Sequence, residues 1–251
     1  MFELQLDRSV ATITLVRAPV NAMNDAWVEG FHGLLDELDN REDWSVLRIR
    51  SGLKLFSAGA DLKQIKSNFH KPIEEQLGPG ERYQALFSRI EALSRPTLAE
   101  IKGNAFGGGL ELALSCDMRV AATETKLGLP EVTLGLIPGA GGTQRLPRLV
   151  GTAPAMRMIL GGETVTGSEA FAMGLVQWAV PVEEFDSVAE EIVRRLAAMP
   201  PHAVQAAKAA IRLAFDNGLN GYVAETAAVK DCLAHARTQE LVGAFLARSA
   251  K

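Results

Sequence analysis

The chain has 251 residues, 47% hydrophobic and 22% charged, with a formal net charge of −4 at pH 7. That is enough apolar sequence for one large globular core, and an acidic balance with no block of like charge argues against a nucleic-acid binder, which usually presents a basic face. No run reaches the roughly 18 apolar residues of a membrane span, and neither a Cys-x-x-Cys nor a close pair of histidines suggests a metal site.

Cys116 and Cys232 lie far apart among small apolar residues and read as buried free thiols of a reducing compartment. His32, His70, His202 and His235 are scattered and read as structural or solvent-facing. The opening MFELQLDRSV resembles neither a signal nor a transit peptide. The expectation is a soluble cytoplasmic protein.

In chain order, Phe2, Leu4 and Leu6 alternate with polar residues, and Val10–Val16 follows after a short turn, so two adjacent strands are predicted. Asn24 is placed to cap a helix whose apolar face is Val28, Phe31, Leu35 and Leu38. A third strand spans Ser45–Ser51, followed by the Gly/Ala turn FSAGAD (Phe56–Asp61), with Asp61 as the next cap. Residues 63–82 are polar and end in Gly78-Pro79-Gly80, which predicts a mobile segment. Tyr83, Leu86, Phe87, Ile90 and Leu93 form a helical stripe that Pro96 stops. Thr97–Gly103 reads as a strand, the glycines and Glu111 follow on a helix, and Asp117–Thr123 reads as a strand.

Leu129–Leu146 is glycine-rich loop and then helix. Past Pro200-Pro201 the chain is Ala-rich and helical, with a stripe at Val204, Ala207, Ile211 and Phe215 and a left-handed cap at Asn217-Gly218. Strands alternating with helices predict an α/β fold. A soft boundary falls near residue 200, dividing a core of residues 1–200 from a helical region of residues 201–251. The tail apolar residues Val223, Ala227, Leu241 and Phe245 are too few to fold alone, so they should pack on the core or on another subunit.

Chemistry concentrates in three places. Gly107-Gly108-Gly109 sits between a strand and a helix, where free N–H groups at a positive helix end suit an anion or a developing oxyanion. A glycine turn that only lets strand and helix pack closely would look the same. Glu111 lies among Leu110, Leu112, Ala113 and Leu114. A capping box would need Ser, Thr, Asp or Asn three residues earlier, where Gly108 stands. An exposed polar position on an amphipathic helix remains the other reading. Glu131, in LPEVTLGLIPGAGG, follows Pro130 and precedes further apolar residues, which suggests burial, although a surface-loop glutamate fits as well. Two such carboxylates facing one site would divide acid and base roles, because burial and mutual repulsion raise their proton affinity. The FSAGAD turn offers further free N–H groups, and Asp61 reads as a helix cap rather than a reacting group.

FSAGADLKQI, IKGNAFGGGLELALSCDMRVAA and LGLPEVTLGLIPGAGGTQRLPRLVG, in that order and spacing, resemble the crotonase (enoyl-CoA hydratase/isomerase) superfamily. RAPVNAMN (Arg17–Asn24) and the Ala-rich tail resemble it too, so the likeness covers nearly the whole chain.

It implies a spiral of ββα repeats, a C-terminal helical trimerisation region, and a homotrimer or homohexamer. It implies an acyl-CoA thioester as substrate, with no separate cofactor, metal, nucleic acid or membrane. The family's two oxyanion N–H groups fall on Ala60 and Gly108. Its CoA-contacting strip falls on Ala58 and on Ala60, Asp61, Leu62 and Lys63, with Arg17 through Ala22 on the nucleotide side. The hydratase pair of glutamates falls on Glu111 and Glu131, and the water-positioning glycine on Gly139.

The resemblance therefore implies an enoyl-CoA hydratase. The alternatives are a Δ3-Δ2-enoyl-CoA isomerase, which needs one carboxylate, another acyl-CoA enzyme of the superfamily, and a CoA- or RNA-binding scaffold. A dinucleotide-binding oxidoreductase is set aside, since the glycines are not spaced Gly-x-Gly-x-x-Gly.

Overall fold

The computed structural model of the protein describes residues 1–214 and 218–249. Along the chain run β1 (Phe2–Asp7), β2 (Val10–Leu15), α1 (Asp25–Asp39), β3 (Val46–Ser51), α2 (Leu62–Asn68) and α3 (Ile73–Ala92). Next come β4 (Thr97–Ile101), β5 (Ala105–Phe106), α4 (Gly108–Leu114), β6 (Met118–Ala122), β7 (Lys126–Gly128) and a 3-10 turn over Glu131–Leu134. They are followed by α5 (Gly142–Val150), α6 (Thr152–Leu160), β8 (Thr164–Thr166), α7 (Gly167–Ala172), β9 (Trp178–Val180) and α8 (Phe185–Ala197). Three helices complete the described chain: α9 (Pro201–Leu213), α10 (Gly221–Ala234) and α11 (Ala236–Ser249).

The larger sheet has the order β1-β2-β3-β4-β6-β9, antiparallel only between β1 and β2. Its strands are covered on both faces, as parallel strands require, so β2 and β4 are buried almost continuously rather than alternately. One face carries the main core, built on Trp27, Phe31 and Leu35 of α1 and Leu86, Phe87 and Ile90 of α3. The other face is closed by Phe185, Ile192 and Val193 of α8 against Val46, Leu98 and Val120.

A smaller sheet, β5-β7-β8, repeats beside the first. Two isolated bridges, Met23 with Ala60 and Ser57 with Ala105, extend it into the segments that leave β2 and β3. Each turn of the spiral thus adds one strand to the large sheet and one short extended piece to the small one. The small ladder lines up RAPVNAMN, FSAGAD, NAFGGG and LGLPE side by side, which is how motifs up to ~100 residues apart meet.

Both predicted caps form: Asn24 accepts from Trp27 N–H and Asp61 from Lys63 N–H. Three expectations need correction. Residues 63–82, expected as a mobile segment, are largely helical: all of α2 but its first residue and then the first half of α3, which runs through Pro79. The buried stripe from Tyr83 to Ile90 anchors α3, and helix propagation from that anchor overrides the Gly-Pro-Gly signal. The apolar residues after Glu131 are largely exposed, at 60% for Leu134 and 69% for Ile137, because the chain turns there on the surface. Cys116 is buried as expected, but Cys232 is only half-buried; both are free thiols.

The scattered histidines include one pair: His202 and His235 stack with ring centroids 3.8 Å apart. Phe215 and Asn217 lie outside the described residues. In the tail, α10 packs on α9 and α11 on α10, leaving Tyr222 and Phe245 exposed.

Candidate active site

Two glycine turns meet at the start of α4. Gly59 has φ +89°, and a Cβ there would lie 2.9 Å from the Gly108 nitrogen and 2.8 Å from the Phe106 carbonyl oxygen. A Cβ on Gly108 would in turn lie 3.5 Å from the Ala60 nitrogen. The backbone of Ala60 and that of Gly108 therefore sit side by side, and only glycine permits this approach. Neither N–H donates a hydrogen bond to another group among the described residues. Gly108 opens α4, so its N–H carries the positive end of the helix as well. Gly109 serves packing: a Cβ there would collide with Ser57 at 2.6 Å.

The FSAGAD turn is held rigid from behind. Ser57 Oγ accepts from Gly59 N–H at 3.1 Å and donates to the Asn21 carbonyl at 2.8 Å. Buried Asn21, itself at φ +50°, donates to the Phe56 carbonyl and to Ser51 Oγ. Arg17 donates to the Ala22 carbonyl and pairs with Asp61 at 3.0 Å, tying the two loops together. Burial opposes ionisation of Asp61, but hydrogen bonds from Arg17 and Lys63 N–H hold its carboxyl below the usual range. Asp61 is thus a cap and a tether. Ala22 is half-buried beside it, while Ala58, Leu62 and Lys63 are exposed along the rim.

Glu111 lies one helical turn past Gly108 and is 3% exposed. Its Oε1 accepts two backbone N–H groups, from Ala140 at 2.8 Å and Gly142 at 2.7 Å. Burial pushes its pKa up to about 7; the Gly142 N–H pulls it back, the charge of Glu131 adds to the rise, and the Ala140 N–H and Arg145 lower it.

Glu131 approaches from the 3-10 turn. A Cβ on Gly107 would fall 3.0 Å from Glu131 Oε1, so the bare glycine backbone, at φ +52°, makes room for this carboxylate at the helix entrance. Burial raises the pKa of Glu131 too, and its buried Oε2 has no hydrogen-bond partner among the described residues. The structure thus brings Ala60, Gly108, Glu111 and Glu131 to one place. Gly139 is exposed on the neighbouring loop, its carbonyl held by Gln84 at 2.7 Å, and it is Ala140 and Gly142 that grip Glu111.

The sequence reading missed these two donors, as well as the tether made by Arg17. The GAGG run (Gly139–Gly142) was their one visible signal. It also missed a second buried carboxylate, Glu100 on β4, which is 5% exposed and lies 3.5 Å from Arg48. Two cavities of about 430 and 420 Å³ lie elsewhere. The first is at the far end of α4, between Cys116, Arg119 and Arg145, and the second is lined by Lys54, Gly103 and Val182.

These turns and the spiral of paired strands define a crotonase-fold protein. The family described as "Enoyl-CoA hydratase/isomerase" matches residues 5–250, and the chain belongs to it. A protein named "Probable enoyl-CoA hydratase" from Bacillus subtilis is 44% identical over 173 residues, covering 69% of this chain and 66% of that one. A "Short-chain-enoyl-CoA hydratase" from Clostridium acetobutylicum is 33% identical over 250 residues, covering 97% and 93%. Among solved structures, an enoyl-CoA hydratase from Bacillus anthracis superposes with a TM-score of 0.90 at 33% identity, covering 98% of this chain and 96% of that one. An enzyme of the hydratase/isomerase type acting on an acyl-CoA follows from the family. No helix among the described residues is long and apolar enough to cross a membrane.

Proposed function

We propose that this protein is an enoyl-CoA hydratase, which adds water across the 2,3 double bond of a trans-2-enoyl-CoA to give a 3-hydroxyacyl-CoA. The observation that carries the reading is the convergence of two unengaged N–H groups, Ala60 and Gly108, with buried Glu111 and half-buried Glu131. The thioester carbonyl oxygen accepts from both N–H groups, which draws electron density away from C3. The helix end stabilises the enolate oxygen as charge develops there.

Glu111, ionised and fixed through Oε1, takes a proton from water while the water oxygen bonds to C3. The C2=C3 electron pair moves into the enolate. Glu131, protonated, then delivers its proton to C2. The two glutamates exchange a proton before the next turnover. Two N–H donors on Glu111 favour its anion against the burial that raises its pKa to about 7, and an unpartnered buried oxygen disfavours the anion of Glu131. Neither step calls for a metal or a redox cofactor.

Ala22, Ala58, Asp61, Leu62 and Lys63 form the strip along which the CoA portion lies, and Gly139 helps to place the water. The exposed apolar residues of α10 and α11, Tyr222 and Phe245 among them, support assembly as a homotrimer or a dimer of trimers. The setting is cytoplasmic.

Hydration of crotonyl-CoA, followed as loss of the conjugated thioester absorbance, tests the proposal. The wild type should be active, and Glu111→Gln and Glu131→Gln should each lose most of that activity. A wild type inactive on short, medium and branched enoyl-CoAs overturns it. Isomerisation of a 3-enoyl-CoA that survives either single substitution would instead select the isomerase, and acyl-CoA binding without turnover would select a scaffold.

A further inference from the structure

Arg145 is the second buried arginine of the chain, 8% exposed, and the chemistry above makes no use of it. All three nitrogens of its guanidinium donate hydrogen bonds. Nη1 donates to the Ala140 carbonyl at 3.0 Å, and Nε and Nη2 both donate to Glu91 Oε2, at 3.0 and 2.9 Å. Nη2 also reaches Ser88 Oγ at 3.3 Å. The same Ala140 residue sends its N–H to Glu111 on the opposite side.

The turn between them is shaped for this. Gly141 sits at φ +105°, and a Cβ there would lie 2.1 Å from Arg145 Nη1, so any side chain would expel the guanidinium. A Cβ on Gly142 would come 3.0 Å from Glu111 Oε1. The Ala140–Gly142 turn is therefore clamped between a carboxylate and a guanidinium. On α3, Gln84, Ser88 and Glu91 fall at i, i+4 and i+7, on one helical face, and all three touch this assembly: Gln84 at the Gly139 carbonyl, Ser88 and Glu91 at Arg145.

We propose that Arg145, held by Ser88 and Glu91 of α3, is a positioning residue for Glu111, acting through the Ala140–Gly142 turn. This deepens the hydratase reading and rests on Glu111 being the proton-transferring group. Arg145 does not touch the carboxylate. It fixes the carbonyl of Ala140, the residue whose N–H does, and its positive charge favours the Glu111 anion. The charged groups facing Glu111 are Glu131 and Arg145. Those facing Arg145 are Glu91, with Asp117, Arg119, Arg148 and Arg212 lining the same cavity.

The test compares wild type, Arg145→Gln, Arg145→Lys and the double variant Ser88→Ala/Glu91→Gln, which untethers Arg145 without removing it. Titration of the Glu111 side chain is followed by carboxyl ¹³C NMR, assigned by the signal absent from Glu111→Gln. Amide exchange of the 138–146 segment is followed by mass spectrometry, and crotonyl-CoA hydration is measured against pH.

In Arg145→Gln the Glu111 midpoint should rise by about half a pH unit or more. Its kcat at pH 7 should fall ~10-fold with KM little changed, and Arg145→Lys should restore part of both. The double variant should exchange its 138–146 amides faster than wild type, and this arm decides the matter if Arg145→Gln does not fold. A folded Arg145→Gln with wild-type Glu111 midpoint and pH profile, or a double variant with wild-type exchange, overturns the proposal. Should the wild type hydrate no enoyl thioester, the hydratase reading fails, and the NMR and exchange readouts still decide the role of Arg145.

Discussion

Glu111 and Glu100 are both nearly fully buried carboxylates, and burial raises the proton affinity of both. Their surroundings differ. Glu100 stands on β4 facing Arg48, 3.5 Å away, and Arg48 also pairs with Glu190 of α8 at 2.7 Å. Among the described residues, Glu111 has no cation in contact. It has two peptide N–H groups on a single oxygen, a second glutamate near by, and the open end of its own helix one turn earlier. The first arrangement sets a buried carboxylate opposite a cation at a sheet–helix contact. The second holds a carboxylate in place while leaving its proton affinity high. A raised pKa and burial therefore do not by themselves mark a reacting group; the N–H donors beside Glu111 distinguish the two.

The sharpest way to break this comparison is to remove each carboxylate in turn. Glu111→Gln keeps the side-chain shape and should lower kcat for crotonyl-CoA hydration by ~10³-fold or more, within the range for loss of a general base. Glu100→Gln should stay within about threefold of wild type, since it lies on the α8 side of the sheet. Equal losses would mean that both act only through folding.

A second contrast concerns glycines. Gly59→Ala places a Cβ 2.9 Å from the Gly108 nitrogen in a left-handed residue, so it should spread the two N–H donors and lower kcat by ~10²-fold. Gly33→Ala, on α1 with open space around it, should leave hydration unchanged and stabilise the helix by about 0.5–1 kcal/mol. Steady-state kinetics and thermal melts of the two variants check both statements.

What the sequence made legible follows from the range of each signal. The caps Asn24 and Asp61, the stripes of α1 and α3 and the α/β alternation are local patterns, and they could be read directly. The two glycine turns and the two glutamates could be singled out by residue type, but that Ala60, Gly108, Glu111 and Glu131 share one site was legible only through the resemblance, because their segments are brought together by the small ladder and not by any spacing. The donors Ala140 and Gly142 were illegible for a further reason. A backbone N–H has no residue type, so nothing in the letters says which one will point at a carboxylate. Residues 63–82 misled because their polarity reports a wet helix face, and propensity alone cannot separate that from a loop.

The pH dependence sharpens the comparison further. Glu111 must be ionised to accept a proton from water, and its pKa is about 7. Activity should therefore be low in acid, rise as pH passes through about 7, and fall again as Glu131 loses the proton it must deliver. Glu100→Gln should leave that profile in place. A wild-type profile flat from pH 5 to about 8 would remove Glu111 as the base.

The remaining effect expected is on the pH dependence of stability. A carboxyl whose folded pKa is raised binds its proton more tightly in the native state, so its contribution is fully present below the unfolded value. It is lost as pH rises through the folded one. For Glu111 that window runs from 4.5 to about 7. Above it the ionised, buried side chain weakens the fold by about 3 kcal/mol. Glutamine carries no such charge and can still accept both N–H groups through its oxygen. Glu111→Gln should therefore melt about 5 °C higher than wild type at pH 8, and the gap should close as the pH falls toward 4.5. Glu100 carries the same sign of shift, but Arg48 and Arg50 oppose it, and glutamine there leaves Arg48 without one of its two anions. The two terms offset, so Glu100→Gln should stay within about 1 kcal/mol of wild type at either pH. Melting curves of both variants at pH 8 and at pH 5 check this. A Glu111→Gln protein less stable than wild type at pH 8 would show that the anion's hydrogen bonds outweigh its burial, and that the structure favours the ionised form more strongly than its surroundings imply.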